Sequence, residues 1–234
     1  ERRKFITSIA GAAISAPLIG KTKRSPNVPP PPTITLGETG ITTTRMAQGT
    51  GMSGTKMQSN HTRQGFESLV DLLRHGYDRG IRFYDLADQY GSHLYMREAL
   101  RHLPREELTL LTKFQYRFDG NEPDTLDWKQ QKHSARKAID RYRLELDTDY
   151  LDIVLMHNMV TPQWDKDCTG YIEALFEAKE KGIIKAIGMS CHTLVALERA
   201  AELDWVKVAF TRINAHQIAM DGPVDQVIPV QKRF

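Results

Sequence analysis

The chain reads as an α/β domain, a parallel sheet covered by helices, and two observations carry that reading. From Arg45 onward, short apolar runs alternate with amphipathic stretches, the pattern of strand–helix–strand units wound in one direction. The strand starts fall near residues 45, 81, 108, 151, 184 and 206. Those intervals leave room for about one helix and its loops between successive strands.

Taken in order, "RMAQG" (45–49) is the first strand. "RQGFESLVDLLRHGYDRG" (63–80) is a helix, because Phe66, Leu69, Val70, Leu73 and Tyr77 recur at helical spacing. "IRFYD" (81–85) is the second strand, and Ser92 stands where it can cap the helix "HLYMREALRHL" (93–103). "LTLLTK" (108–113) is the third strand, residues 128–144 a long helix, and "LDIVLMH" (151–157) the fourth strand. "YIEALFEAKEKG" (171–182) is a helix that stops at its glycine. "IIKAIGMS" (183–190), the helix "LVALERAAEL" (194–203) and "VKVAF" (206–210) bring the strands to six, and "DGPVDQVIPVQKRF" (221–234) opens a further helix. This rhythm alone leaves an open doubly wound sheet and a closed (β/α)8 barrel both standing. Gly49, Gly51 and Gly54 spell G-x-G-x-x-G after the first strand, as in a dinucleotide fingerprint, but no helix follows directly.

A chain of 234 residues with 40% hydrophobic and 26% charged residues is a globular domain with a real core, not a disordered or membrane-spanning one. The net charge of +3 is unevenly spread, since six basic residues and one acid lie within residues 1–24. The remainder is slightly acidic, which argues against a nucleic-acid footprint. Cys168 and Cys191 do not require a disulfide, and free thiols are the default.

"ERRKFITSIAGAAISAPLIG" has a basic start followed by an apolar, small-residue stretch. It is too short and too rich in Gly and Ala to span a bilayer as a stable anchor, and it reads as an export signal over residues 1–24. "RRKFI" resembles a bacterial twin-arginine signal, which implies the twin-arginine export machinery as partner and the periplasm as destination. Four consecutive prolines (29–32) make residues 25–33 a stiff spacer, and the folded domain is placed at 34–234. Glu1 is not a methionine, so the sequence is expected to begin inside a longer reading frame.

The chemistry gathers at strand ends. Asp85 closes the second strand, Tyr90 lies in the loop after it, Lys113 closes the third strand and His157 the fourth. In a parallel barrel these ends open on the face where active sites are built. Singly, the Asp reads as a loop or capping residue, the Lys as a solvated charge and the His as a satisfied structural group. Their joint placement favours a site. Asp88 reads as a solvated loop residue. No clustered His/Cys spacing suggests a metal, and Asp85 with His157 are too few for a metal-dependent hydrolase.

At these residues the chain resembles the aldo-keto reductases. "LGETGITTTRMAQGTGM" (36–52) is similar to the family's opening segment and "GIRFYDLADQYGS" (80–92) to its G-x-x-F-x-D-x-A-x-x-Y-G signature. "LLTKF", "YLDIVLMHN" and "AIGMS" follow in the family's order. The resemblance implies a (β/α)8 TIM barrel, here incomplete with about six of eight strands, so the sequence is expected to be a piece of a longer protein ending before strands seven and eight. It implies a nicotinamide cofactor, NADP with NAD as the alternative, and reduction of a small-molecule carbonyl compound. It implies Tyr90 as proton donor, assisted by Lys113, Asp85 and His157. A phenol ordinarily titrates near ~10, and a cation within roughly 4–6 Å lowers that value, the part expected of Lys113 with Asp85 as its ion-pair partner. The implied cofactor contacts are Gly49, Thr50, Gly51, Asp85, Ser190, Cys191 and Asn214. The family's asparagine after the serine is Cys191 here, its sixth-strand glutamine is Phe210, and Met52 stands where many relatives carry an aromatic. A non-catalytic, nucleotide-binding redox sensor on the same barrel is the alternative.

Overall fold

The computed structural model describes residues 28–115, 125–216, 218 and 220–234. The proposed signal lies outside the described residues. An antiparallel hairpin comes first, β1 (Thr33–Thr35) with β2 (Thr42–Thr44). It was not expected from the sequence, because three-residue strands made mostly of threonine show no apolar alternation. The six expected strands follow: β3 (Ala47–Gly49), β4 (Phe83–Asp85), β5 (Thr109–Phe114), β6 (Leu151–Met159), β7 (Ile184–Cys191) and β8 (Val208–Phe210). Their bounds fall within three residues of those read from the sequence.

These six strands pair in parallel in chain order, β3-β4-β5-β6-β7-β8. A doubly wound sheet reverses its strand order at a switch point, and this one never does. The sheet is the curled, six-stranded part of a (β/α)8 barrel, which removes the open alternative.

The connecting helices are α1 (Phe66–Asp78), α2 (His93–Leu100), α3 (Trp128–Leu146), the short α4 (Trp164–Asp167), α5 (Thr169–Glu180), α6 (Leu194–Ala201) and α7 (Val224–Gln231). Helix α3 opens on a capping box in which Asp127 and Gln130 satisfy each other's backbone N–H groups. Ser92 does not cap α2; its hydroxyl bonds Thr50 Oγ1 at 2.9 Å instead. Phe66, expected on the buried stripe of α1, is exposed and rests on the Tyr95 ring at 5.1 Å.

Side chains alternate across each strand, so the sheet has two cores. Tyr84, Leu110, Val154, Met156, Ile187 and Met189 face the helices. Phe83, Leu111, Ile153, Leu155, Ala186 and Val208 fill the concave side. Leu36 and Ile41 of the hairpin loop pack on that inner cluster beside Ala47, which opens its strand as Phe83 and Val208 open theirs. The hairpin therefore covers the end of the core opposite the strand C-termini.

Candidate active site

The same alternation builds the site. Two residues beyond Phe83, Leu111, Leu155 and Val208 stand Asp85, Lys113, His157 and Phe210, and Ser190 stands two beyond Gly188. All therefore face the concave side, where the apolar layer gives way to a mostly polar one at the strand C-termini. With the loops above, they line a cavity of about 470 Å³.

Lys113 is only 3% exposed. Its Nζ forms an ion pair with Asp85 Oδ1 and donates to the Leu86 carbonyl at 3.0 Å, so a buried charge has both a counter-ion and a hydrogen bond. The same Nζ lies 4.8 Å from the centre of the Tyr90 ring. Tyr90 meets His157 edge to face, ring centres 5.6 Å apart at 84°. The four residues singled out in the sequence thus stand together on one wall.

Tyr90 has a seat made of glycines. A Cβ on Gly51 or Gly54 would lie 2.2 or 2.3 Å from its ring, closer than packed atoms allow. The G-x-G-x-x-G spacing serves a side chain here, which explains why no helix needs to follow it. Gly91, at φ +64 with the Met57 carbonyl crowding its missing Cβ at 2.1 Å, then turns the chain away into α2.

Burial raises the Tyr90 pKa above the ordinary 10, and this outweighs the lowering by the Lys113 charge, while Asp85 adds to the rise. The sequence reading expected Lys113 to dominate; in the structure desolvation does. The phenol is therefore protonated near neutrality, the form a proton donor needs. Burial, then the charges of Lys113 and His192, hold His157 well below the ordinary 6.5, so it is a neutral imidazole. Its Nδ1 is buried without a hydrogen-bond partner among the described residues.

Asp88 is not a solvated loop residue. It is 1% exposed, and its Oδ2 accepts from Arg141 Nη2 at 2.8 Å and Tyr142 Oη at 3.0 Å. Arg141 also reaches Glu145, Glu145 meets His93 Nδ1 at 2.7 Å, and His93 Nε2 meets Thr112 at 2.8 Å. This chain of polar groups runs behind the site, from the turn that carries Tyr90 to the residue beside Lys113.

The proposed cofactor contacts separate. Gly51, Asp85, Ser190 and Cys191 line the cavity; Gly49, Thr50 and Asn214 do not. Thr50 is fully buried and its hydroxyl donates to the Asp85 carbonyl at 2.8 Å, which fixes the end of β4. The Asn214 side chain bonds the backbone of His216 and Ile218 within its own loop. Cys191 falls on the outward register of β7, with its thiol toward the Phe210 carbonyl at 3.6 Å and the Asp221 carboxylate at 3.9 Å. Burial and then Asp221 push that thiol up to about 11, and neither cysteine is in a disulfide.

Sequence reasoning missed Gln89, Asn158 and Arg212 on the cavity wall and Asp221 behind it. The first two sit next to Tyr90 and His157 in the chain, a signal that was available. Asp221 carried none, since the partners that define it come from other segments. Burial opposes its ionisation, yet hydrogen bonds from His192, Arg212 and Thr211 hold it down to about 2.

A family model for the aldo/keto reductase family matches residues 45–223, well over half of the chain. The chain belongs to the aldo/keto reductase family. It is 28% identical over 172 residues to D-threo-aldose 1-dehydrogenase from Pseudomonas sp, covering 62% of this chain and 52% of that one. A solved aldo-keto reductase from Bacillus halodurans superposes with a TM-score of 0.60 at 21% identity, over 76% of this chain and 57% of the other. One from Bombyx mori, solved in complex with NADP, gives 0.57 at 20% identity, over 76% and 56%. These two likenesses are of fold. The chain spans about half the length of the curated relatives it matches, 47% and 52% for the first two. The matched segment contains β3 to β8 and so every residue of the cavity wall described above.

Proposed function

We propose that the protein reduces an aldehyde or ketone to the alcohol with a nicotinamide nucleotide, NADP in preference to NAD. The observation that carries this is Lys113, buried between the Asp85 carboxylate and the Tyr90 ring, with neutral His157 against the same ring. Reducing a carbonyl requires a proton on oxygen at the moment charge develops there. Tyr90 gives its O–H proton to that oxygen, and the Lys113 ammonium stabilises the phenolate left behind. Asp85 supplies the counter-ion that the buried Lys113 ammonium needs. His157 donates an N–H to the carbonyl oxygen and orients it.

The Ser190 hydroxyl, on the concave register of β7, and the Gly51 backbone at the cavity wall fit a nicotinamide nucleotide; Cys191 offers it backbone, not thiol. Gly51, Asp85 and Ser190 would hold that group, which when bound supplies the reducing equivalent.

The test follows NADPH absorbance against a panel of aldehydes and ketones with the full-length protein. Tyr90→Phe is expected to lower kcat by about 10²–10⁴ while nucleotide binding persists. Ordinary turnover by that variant would remove Tyr90 from the role. Tight NADPH binding without turnover on any carbonyl would instead favour a redox sensor. Export by the twin-arginine route to the periplasm is proposed from residues 1–24 alone. An Arg2→Lys, Arg3→Lys protein should stay in the cytoplasm, and unchanged export refutes the assignment.

A further inference from the structure

We propose that Arg141 of α3 is a positioning residue for the reduction: its guanidinium ties the turn that carries Tyr90 and the strand that carries Lys113 to one point. The inference rests on the carbonyl-reductase reading and concerns what holds the proton donor and the ammonium at a fixed spacing.

Backbone pairing does not set that spacing. The last ladder partners of β4 and β5 are Asp85 and Leu111, and one further bond runs from the Leu86 N–H to the Leu111 carbonyl at 2.8 Å. Lys113 lies beyond those partners on β5. Tyr90 lies beyond them in the tight turn Asp88–Tyr90, where its N–H bonds the Ala87 carbonyl and that of Gly91 the Asp88 carbonyl.

Side chains on the helix face bridge the gap, and Arg141 supplies two arms. Its Nη2 donates to Asp88 Oδ2 at 2.8 Å, at the start of the Tyr90 turn. Asp88 Oδ1 is buried without a partner among the described residues, so the carboxylate is held by the one oxygen that Arg141 shares with the Tyr142 hydroxyl. On the other arm, Arg141 Nη1 donates to Glu145 Oε1 at 2.9 Å. A carboxylate only accepts, so His93 Nδ1 donates to Glu145 Oε2 at 2.7 Å and His93 Nε2 is left to the Thr112 hydroxyl at 2.8 Å. Thr112 directly precedes Lys113 and points to the helices, while Lys113 faces the cavity. Asp88, His93 and Thr112 are buried, and the Tyr142 ring braces His93 edge to face at 5.1 Å. Both arms are dry, so a shift of the guanidinium passes along them instead of being taken up by solvent. A lysine at this position would keep the charge but lacks the planar fork that serves two carboxylates at once.

Single turnovers of the full-length protein loaded with NADPH, mixed with the best carbonyl compound of the panel, read the chemical step. Urea melts count the folded fraction to which each rate is referred. Arg141→Lys is expected to slow the step by about 10–10²-fold, the order expected for a small misplacement of reacting groups. The solvent deuterium isotope effect should rise, because the proton then contributes more to the barrier, while the NADPH dissociation constant stays the same. Thr112→Val keeps the side-chain shape, breaks the other arm, and should give a smaller slowing of the same kind; it decides alone if Arg141→Lys does not fold. Arg136→Lys makes the same change on the same helix at the Glu177 pair, away from both arms, and should leave the rate as it was. An unchanged rate per folded molecule in either arm variant overturns the assignment. So does a slowing that leaves the isotope effect in place, that weakens NADPH binding in step, or that Arg136→Lys matches. Each of these leaves the reductase reading standing. No NADPH oxidation by the unaltered protein on any carbonyl compound overturns that reading and this assignment with it.

Discussion

Asp85 and Asp88 are three residues apart, acidic alike and each paired with a cation, yet they do opposite work. Asp85 faces the concave side and pairs with Lys113 at the cavity wall. Asp88 faces the helices and pairs with Arg141 of α3, with Tyr142 as a second donor. The turn that Asp88 opens carries Tyr90. One pair sets the charge at the cavity wall, and the other holds the turn that carries Tyr90. Buried ion pairs in one short segment can thus differ in function through nothing more than which side of a sheet they face.

The largest expected effect separates the two sides. Lys113→Met should cut kcat by about 10²–10⁴, a range typical of losing a group that assists proton transfer, because Tyr90 then loses the charge and hydrogen bond of Lys113 that oppose the effect of burial. Steady-state kinetics per folded molecule check this, with urea melts to count the folded fraction, since removing the ammonium also leaves the Asp85 carboxylate without its counter-ion. An unchanged kcat in the folded fraction would erase the distinction between the two pairs.

Next in size is Asp88→Ala. It leaves Tyr142 Oη buried without its Asp88 acceptor and takes the Asp88 carboxylate from Arg141. Removing one partner of a buried pair costs about 3–5 kcal/mol, and the guanidinium here is 37% exposed, so about 2–4 kcal/mol is expected. Chemical denaturation measures it, and the remaining folded fraction should still bind nucleotide. A loss under 1 kcal/mol would mean that Asp88 is as solvated as the sequence suggests.

That misreading shows what a sequence does and does not display. The strand–helix rhythm is written in local apolar spacing, so the parallel sheet was legible from 45 to 210. The concave placement of Asp85, Lys113 and His157 follows from counting two residues on from an apolar neighbour. Asp88 obeys no such count, because its burial is decided by α3, more than fifty residues later. The seat of Tyr90 was visible as glycine spacing but open to two meanings, and only the ring lying against Gly51 and Gly54 chooses between them. Asp221 and the His192–Asn158 contact depend on three separate loops meeting, for which local spacing carries no record.

The smallest effect sharpens the comparison through pH. On the cavity side, His157 is held well below its ordinary 6.5 by burial first and Lys113 next. Above that value neither the folded nor the unfolded protein protonates it, and its neutral burial costs nothing extra. As pH falls below about 6.5 the unfolded chain takes up a proton that the folded chain refuses. Stability should then drop by up to about 1.4 kcal/mol per pH unit. On the helix side, Glu145 is held below its ordinary 4.5, since hydrogen bonds and charge from His93 and Arg141 outweigh its burial. Its contribution is complete above about 4.5 and is lost only as pH falls from there toward the lower folded value. The two sides therefore act in separate windows. Urea melts from pH 7.5 down to 3.5 should show His157→Gln flattening the slope between 6.5 and 4.5, and Glu145→Gln flattening it only below. If Glu145→Gln instead removes the slope near pH 6, the helix side and not the cavity side holds the group that makes the fold sensitive to acid.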